Sequence, residues 1–393
     1  MSQNRPLRSV QFIDNYFPVI DGVTETVHEY ARHMDAVVVC PAMESHYLEK
    51  HSFSYPVLTS GTIRVPFSRY ASAVPKLDPK LPAQIAETQP DIFHFHSPSL
   101  LGEYAVSLGR KMKIPVVATF HSKLYEAILE FTKSKTIAKA MTGRMVKLYE
   151  SCDEVWACSD ETGETLRSYG FRKPYFVMPN GTDTSFPANA AELKARAEAA
   201  FRIPRGKHIL LFVGQQIWYK NQKLILDTFR LLCDEGNDWF LIMAGSGKDE
   251  HDIARYTASL GLTEQQVLLT GLISDRELLQ GVYLNADLLF FPSVFDNSPL
   301  VLREAAVLGV PTLATEGSNA AAAIRKNVNG FTAAENPKAM RDEILRIFAK
   351  EDLQGIGKTA QETIPLSWEN LMPMVLGEYQ AVIDRYGKQK TAK

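Results

Sequence analysis

The sequence predicts an α/β protein of two doubly wound domains, each a parallel sheet with helices on both faces. Three observations predict it. The chain has 393 residues, enough for two domains that each bury a core. Short apolar runs alternate with amphipathic stretches from Arg8 to Gly181, and the alternation restarts at Ile209. Finally, the run Leu288–Phe291 is stopped by Pro292 and followed by the signs of a helix of about ten residues and a second strand, which is one βαβ unit. In that helix Ser298 is the expected N-cap and Pro299 the first helical residue, with Gly309 and Pro311 as the stop.

Composition narrows the class. With 45% hydrophobic and 22% charged residues the chain reads as an ordinary soluble globular protein, and a net charge of −2 gives no basic field for nucleic acid. Cys40, Cys152, Cys158 and Cys233 form no Cys-x-x-Cys pair, as expected of reduced thiols in a cytoplasmic setting. The opening Met-Ser-Gln-Asn-Arg-Pro-Leu-Arg has no apolar core, so no signal peptide is expected. No apolar run approaches the roughly 20 residues of a membrane span. Any membrane contact would be peripheral.

In chain order, the first strand is expected at Val10–Asp14, and its loop runs through Gly22 to a helix starting near Thr24. Gly22 is read as a point of close ligand approach or as a plain turn glycine. Ala36–Cys40 follows, with a further strand near Ile63–Phe67. In the run Ile92–His96, Phe93 and Phe95 alternate with His94 and His96, which puts both histidines on one face. Such a pair, with His121 at the end of Pro115–His121, suggests a metal; no Asp or Glu stands close in sequence, and no metal is expected. Lys123–Cys152 carries Lys133, Lys135, Lys139, Arg144 and Lys147 beside a helical stripe of Ile137, Met141 and Met145. That stripe fits a solvated basic helix or peripheral contact with an anionic membrane. Glu154–Ser159 and Tyr175–Met178 complete this half.

Pro179–Asp183 closes the first domain, and the Ala-rich charged segment to Arg205 is expected to be one helix between domains. The second series opens at Ile209–Gly214. Its loop carries Gln215 and Lys220 into the helix Gln222–Cys233, where a lysine and a helix N-terminus can hold phosphate. Strands are expected at Trp239–Gly245 and Val267–Gly271, helices at Asp249–Leu260 and Asp275–Asn285. Ser274 and Glu277 have capping-box spacing, which makes Glu277 structural. Gly245-Ser-Gly247 lacks the third glycine of a dinucleotide fingerprint, which weakens a dehydrogenase reading.

The charges of the βαβ unit point to chemistry. Asp296 lies before the helix and Glu304 inside it, so two carboxylates flank an N-terminus whose N–H groups near Leu300 attract phosphate. A sugar nucleotide matches this, with a diphosphate for the helix end and hydroxyls for the acids. Spacing alone leaves open that Asp296 caps a loop and Glu304 is a solvated helix residue.

The stretch resembles the signature of retaining glycosyltransferases of family four, of bacterial lipid or cell-envelope type, which reads Pro-Ser, Glu-Gly-Phe-Gly-Leu, Glu-Ala, Gly-x-Pro. Here it is Pro292-Ser293, Asp296-Asn297-Ser298-Pro299-Leu300, Glu304-Ala305, Gly309-Val-Pro311. The resemblance implies the GT-B fold: two Rossmann-like domains facing across a cleft, with an acceptor domain at 1–181, a donor domain at 182–365 and a helix at 366–393 crossing back. It also implies roles. Asp296 contacts the donor sugar, Glu304 holds the ribose, and His121, in Thr119-Phe-His-Ser122, lies near the anomeric carbon. Pro179-Asn-Gly-Thr-Asp183 is similar to the family's Pro-Asn-Gly-x-Asp. Gly271 and Ile273 resemble the base-binding turn, and Gly317-Ser-Asn-Ala-Ala-Ala322 is expected to be another loop at the mouth of the cleft. Gly214 and Lys220 match the family's phosphate loop, in which Arg is usual where Gln215 stands.

By resemblance, then, the chain is expected to move a hexose from a nucleotide sugar, a UDP-sugar such as UDP-glucose being favoured, to a lipid or glycan acceptor with retention. The nucleotide sugar is a substrate, and no cofactor, metal or nucleic acid is implied. The expected setting is cytoplasmic, at the inner face of a membrane if the acceptor is a lipid. Gln215 and the altered Asn297-Ser-Pro motivate one alternative: a nucleotide-sugar-binding partner without transferase activity.

Overall fold

A computed structural model describes residues 5–19, 21–42, 52–64, 71–121, 123–236 and 238–391, and the chain forms two compact units, Met1–Gly181 with Ser367–Lys393, and Thr182–Leu366. In the first unit the elements run β1 (Arg8–Phe12), α1 (Gly22–His33), β2 (Asp35–Pro41), β3 (Val57–Ser60), β4 (Thr62–Arg64), β5 (Ala71–Ala73), α2 (Leu81–Glu87), β6 (Ile92–Phe95) and α3 (Leu100–Met112). They continue with β7 (Val116–Phe120), α4 (Leu124–Thr132), α5 (Lys135–Glu150), β8 (Glu154–Ala157), α6 (Asp160–Ser168) and β9 (Phe176–Val177). The sheet is parallel in the order β3-β2-β1-β6-β7-β8-β9. Strand order reverses between β1 and β6, and doubly wound sheets bind ligands at the carboxyl ends of such a pair.

The second unit holds α7 (Ala190–Phe201), β10 (His208–Val213), α8 (Gln222–Glu235), β11 (Trp239–Ala244), α9 (Glu250–Ser259), β12 (Val267–Gly271) and α10 (Arg276–Asn285). After these come β13 (Leu288–Phe291), α11 (Leu300–Val307), β14 (Thr312–Thr315), β15 (Phe331–Ala333), α12 (Pro337–Lys350) and α13 (Leu353–Thr363). Its parallel order β12-β11-β10-β13-β14-β15 reverses between β10 and β13. Every residue of β13 is buried, because a parallel strand covered on both faces has no side left for water. Phe291 stacks on Phe212 of β10 at 5.8 Å between centroids. The last helix, α14 (Trp368–Thr391), belongs to the first unit. There Val375 and Tyr379 are fully buried, Tyr379 stacks on Trp156, and Trp368 meets Tyr30 edge-on.

Several local expectations are corrected. The first helix starts at Gly22, not Thr24, because Asp21 accepts from the N–H groups of Val23 and Thr24 and sets the cap. Gly22 is therefore a helical residue and not part of the loop. The strand expected near Ile63–Phe67 is β4, antiparallel to β5, and 65–67 lie outside the described residues. Lys123–Cys152 is two helices, since Lys133 takes a left-handed conformation and Ser134 caps the second. The Ser274–Glu277 capping box does not form: Asp275 is the cap, accepting from the Leu278 N–H at 3.0 Å, while Glu277 faces Arg196. Pro299, not Ser298, occupies the cap position of α11, and no side chain caps that helix.

Candidate functional site

The reversal between β10 and β13 brings together two loops far apart in sequence. The loop after β10 turns through Lys220, and the loop after β13 carries Asp296. The Lys220 ammonium pairs with one Asp296 oxygen, and the Ser293 hydroxyl donates to the other at 2.6 Å. Both charged side chains are largely buried, at 15% and 17% exposure, so solvent screens the pair less than a surface one. Tyr219 and Phe295 flank it with ring centroids 4.4 Å apart. Asn221 ties the loops at the backbone, donating to the Pro292 carbonyl at 2.9 Å and to Glu335 at 2.8 Å.

Backbone packing braces the loop after β10. The Gly245–Gly247 turn lies directly against it: Gly214 N–H donates to Ala244, and Gln216 N–H donates to Ser246. A β-carbon on Gly245 would lie 2.1 Å from the Gly214 carbonyl oxygen, and one on Gly247 would lie 2.3 Å from that of Gln216. Only glycine fits at either position. The Gly-Ser-Gly turn is thus a brace for Gly214–Lys220. Gln215 is exposed, and its carbonyl accepts from the Gln222 side chain at 2.7 Å.

Glu304, on α11, accepts a hydrogen bond from the buried Tyr283 hydroxyl at 2.9 Å, and burial with the adjoining carboxylate pushes that phenol well up. Ser298 receives a hydrogen bond from Arg303 at 3.2 Å in place of capping the helix. Asn297 is buried and accepts from the buried Asn319 at 2.8 Å, so Asn319 supports the Asp296 loop. Thr315 adds a bond to the Pro292 carbonyl at 2.9 Å. On the other side Gly271 accepts from the Gly245 N–H, Ile273 is half-buried and Leu272 is 67% exposed.

In the first unit the strand ends carry a buried polar cluster. His94 and His96 share a face as the alternation predicts, with centroids 4.1 Å apart. His96 Nδ1 lies 3.0 Å from His121 Nε2, and His96 Nε2 lies 2.8 Å from Gln11 Oε1. His94 bonds Tyr379 at 2.6 Å and Thr119 at 2.7 Å, while His121 Nδ1 meets Cys158 Sγ at 3.7 Å. Their nitrogens are engaged by one another and by hydroxyl, amide and thiol groups. Among the described residues no group of three or more His, Cys, Asp or Glu could hold a metal. Burial drives His94 and His96 well below the ordinary imidazole range and His121 down to about 3.

Nearby, Asp14 accepts from the Ser99 hydroxyl at 2.5 Å, and burial raises it to about 6. Ser99 also caps α3. Gly22, at the start of α1, is exposed. Ser122 lies outside the described residues. The structure therefore joins Lys220 to Asp296 in one unit and His121 to His96 in the other. Sequence reasoning missed Tyr283, Gln11, Asp14 and Tyr379, since each works through a partner remote in the chain. The one legible signal was polar residues placed inside otherwise apolar runs, as Gln11 is in β1.

The pattern of the family described as "Glycosyltransferase Family 4" matches residues 20–186, and that of "Glycosyl transferases group 1" matches residues 194–363. A GDP-mannose-dependent alpha-mannosyltransferase of Corynebacterium glutamicum is 24% identical over 83% of this chain and 76% of its own. The alpha-monoglucosyldiacylglycerol synthase of Streptococcus pneumoniae is 23% identical over 77% of this chain and 70% of its own. Among solved structures, Anabaena Alr3699/HepE in complex with UDP superposes with a TM-score of 0.75 at 18% identity, covering 95% of this chain and 100% of that one. At that identity the likeness shows the fold, which is GT-B.

Proposed function

This chain belongs to glycosyltransferase family 4, and from that premise we propose that it moves a hexose from a UDP-sugar to an acceptor with retention of anomeric configuration. One observation carries the reading: the Lys220–Asp296–Ser293 cluster at the β10/β13 reversal, beside the N-termini of α8 and α11, neither of which has a side-chain cap. Uncapped N–H groups and an ammonium suit a diphosphate, stabilising its charge as the glycosidic bond breaks. Asp296 then faces the sugar, and Glu304, held by Tyr283, faces the ribose. Gly214, Gln215, Asn297, Ser298, Pro299 and Leu300 shape the phosphate and sugar subsites, while Gly271 and Ile273 border the base. The bond from anomeric carbon to phosphate oxygen breaks as the acceptor oxygen bonds the same face, and the acceptor proton passes to a non-bridging phosphate oxygen. The nucleotide sugar is the substrate, and no further cofactor enters.

A UDP-sugar is favoured by the Anabaena neighbour solved with UDP, whereas the corynebacterial relative is named for GDP-mannose. Calorimetric titration with UDP and GDP decides between them, followed by release of nucleoside diphosphate from UDP-glucose and GDP-mannose over membrane extract. UDP is expected to bind and UDP-glucose to be turned over. Binding of GDP alone would reassign the donor, and binding of neither would sink the reading. The acceptor is proposed to be a membrane lipid or an envelope glycan, since a streptococcal relative is named for a diacylglycerol product. No helix among the described residues is long and apolar enough to cross a membrane. Access to a lipid would come from peripheral contact at the cytoplasmic face, through α4 and α5.

A further inference from the structure

We propose that Tyr379 on α14 and Gln11 on β1 are positioning residues that hold the His121 imidazole in a single tautomer, acting through His96. The functional half of this rests on the placement of His121 in the transfer site. With His94, His96 and His121 all held neutral by burial, each ring has one N–H and one lone pair. Gln11 presents its carbonyl oxygen to His96 Nε2 at 2.8 Å, so that nitrogen carries the proton. His96 Nδ1 is then a lone pair, and His121 Nε2, 3.0 Å away, must donate to it. This leaves the His121 lone pair on Nδ1. Cys158 Sγ stands there at 3.7 Å, with the Asn180 amide oxygen at 3.6 Å as a second acceptor for the thiol, so the Gln11–His96 end sets the tautomer.

What stops the Gln11 carboxamide from rotating by half a turn is its other edge. Its nitrogen donates to Ser9 at 2.8 Å and to the Tyr379 hydroxyl at 3.1 Å. Having accepted that bond, Tyr379 donates to His94 Nδ1 at 2.6 Å, and His94 Nε2 donates to Thr119 at 2.7 Å. The phenol is fully buried and stacked on Trp156 at 5.0 Å, so the hydroxyl has one place to be. Without it, Gln11 can offer either edge to His96. The two histidines then take either tautomer, and the His121 N–H moves between its two sides.

Histidine-selective nitrogen-15 spectra of the full chain test this in Tyr379→Phe. The parent is expected to show Nε2–H for His96 and His121. The variant is expected to show a mixture at both, with kcat for transfer reduced roughly tenfold and donor KM within about twofold. Gln11→Leu, which removes both edges, is expected to mix the His121 tautomers in the same way and serves if Tyr379→Phe does not fold. An unchanged single tautomer in a folded variant overturns the proposal, as does a mixture with unaltered kcat. Full transfer by His121→Ala would overturn the site placement and with it the functional half, a result distinguishable because the spectra do not depend on activity.

Discussion

At the residue scale, the second unit depends on a few side chains whose removal has separable effects. Lys220→Ala takes the cation from Asp296 and from the proposed diphosphate, and kcat is expected to fall about 10²–10³-fold, as for loss of one preorganised donor to developing charge. Steady-state release of nucleoside diphosphate measures it; kcat within twofold of the parent would remove Lys220 from the site. Glu304→Ala deletes a carboxylate that Tyr283 holds in place. Two charge-assisted hydrogen bonds to a ribose contribute together about 3 kcal/mol, so donor binding is expected to weaken about 10²-fold. Calorimetry with UDP reads that directly, and Tyr283→Phe should give a smaller loss of the same kind. Lys220, Asp296 and Glu304 were legible because they sit in motifs. Tyr283 was not, because a tyrosine in an amphipathic helix looks like core until its hydroxyl is seen to meet an acid.

At the element scale, α4 and α5 present an apolar and basic surface together. Phe131 is 90% exposed, Ile137 and Met141 are exposed beside Lys133, Lys135 and Lys139, and Arg144 is drawn to Glu103. A solvated basic helix needs no exposed Phe, whereas an interfacial one gains by burying it. Cosedimentation with vesicles rich in anionic lipid is expected to exceed that with neutral vesicles. Each Lys→Glu change at 135 or 139 is expected to weaken binding by about 1 kcal/mol or more. Equal recovery from both vesicle types would leave the helices as ordinary surface. The period of this stretch could be read in the sequence, but its division could not. Lys133 adopts a left-handed turn that lysine rarely takes, and tertiary contacts decide such a conformation. Likewise Ser298 looked like a helix cap, yet its hydroxyl is taken by Arg303 five residues on, a competition invisible in local spacing.

At the scale of the whole molecule, buried titratable groups in the first unit tie stability to pH. Burial lowers His94, His96 and His121, the last to about 3, so in the window below the ordinary imidazole value the unfolded chain binds more protons than the fold. Stability from them is present above that window and is lost as pH falls through it, by as much as about 1.4 kcal/mol per pH unit for each. Asp14 and Glu154, raised to about 6 and about 7, act in the opposite sense below those values and offset part of the loss. Three groups outweigh two, so the melting temperature is expected to drop from pH 7 to pH 5; a rise on acidification would contradict this. Truncation after Leu366 should be worse than losing an exposed tail, because it strips Tyr379 from buried Gln11 and His94 and leaves their polar atoms uncompensated. Limited proteolysis and melting of the truncated chain, compared with one ending near Tyr386, would show it.

The sequence by itself determined two doubly wound α/β domains, since periodicity and turn residues are local properties that survive without coordinates, and the resemblance of its short motifs pointed to the GT-B glycosyltransferases of family 4. It also named the charged groups that the β10/β13 reversal gathers, and it left the binding-only alternative open on Gln215 and the altered Asn297-Ser-Pro. Only the tertiary structure decided which residues hold those groups in place. A buried polar atom must find its partner wherever the fold supplies one. For Gln11 that partner is Tyr379, 368 positions away, and no spacing rule reaches so far.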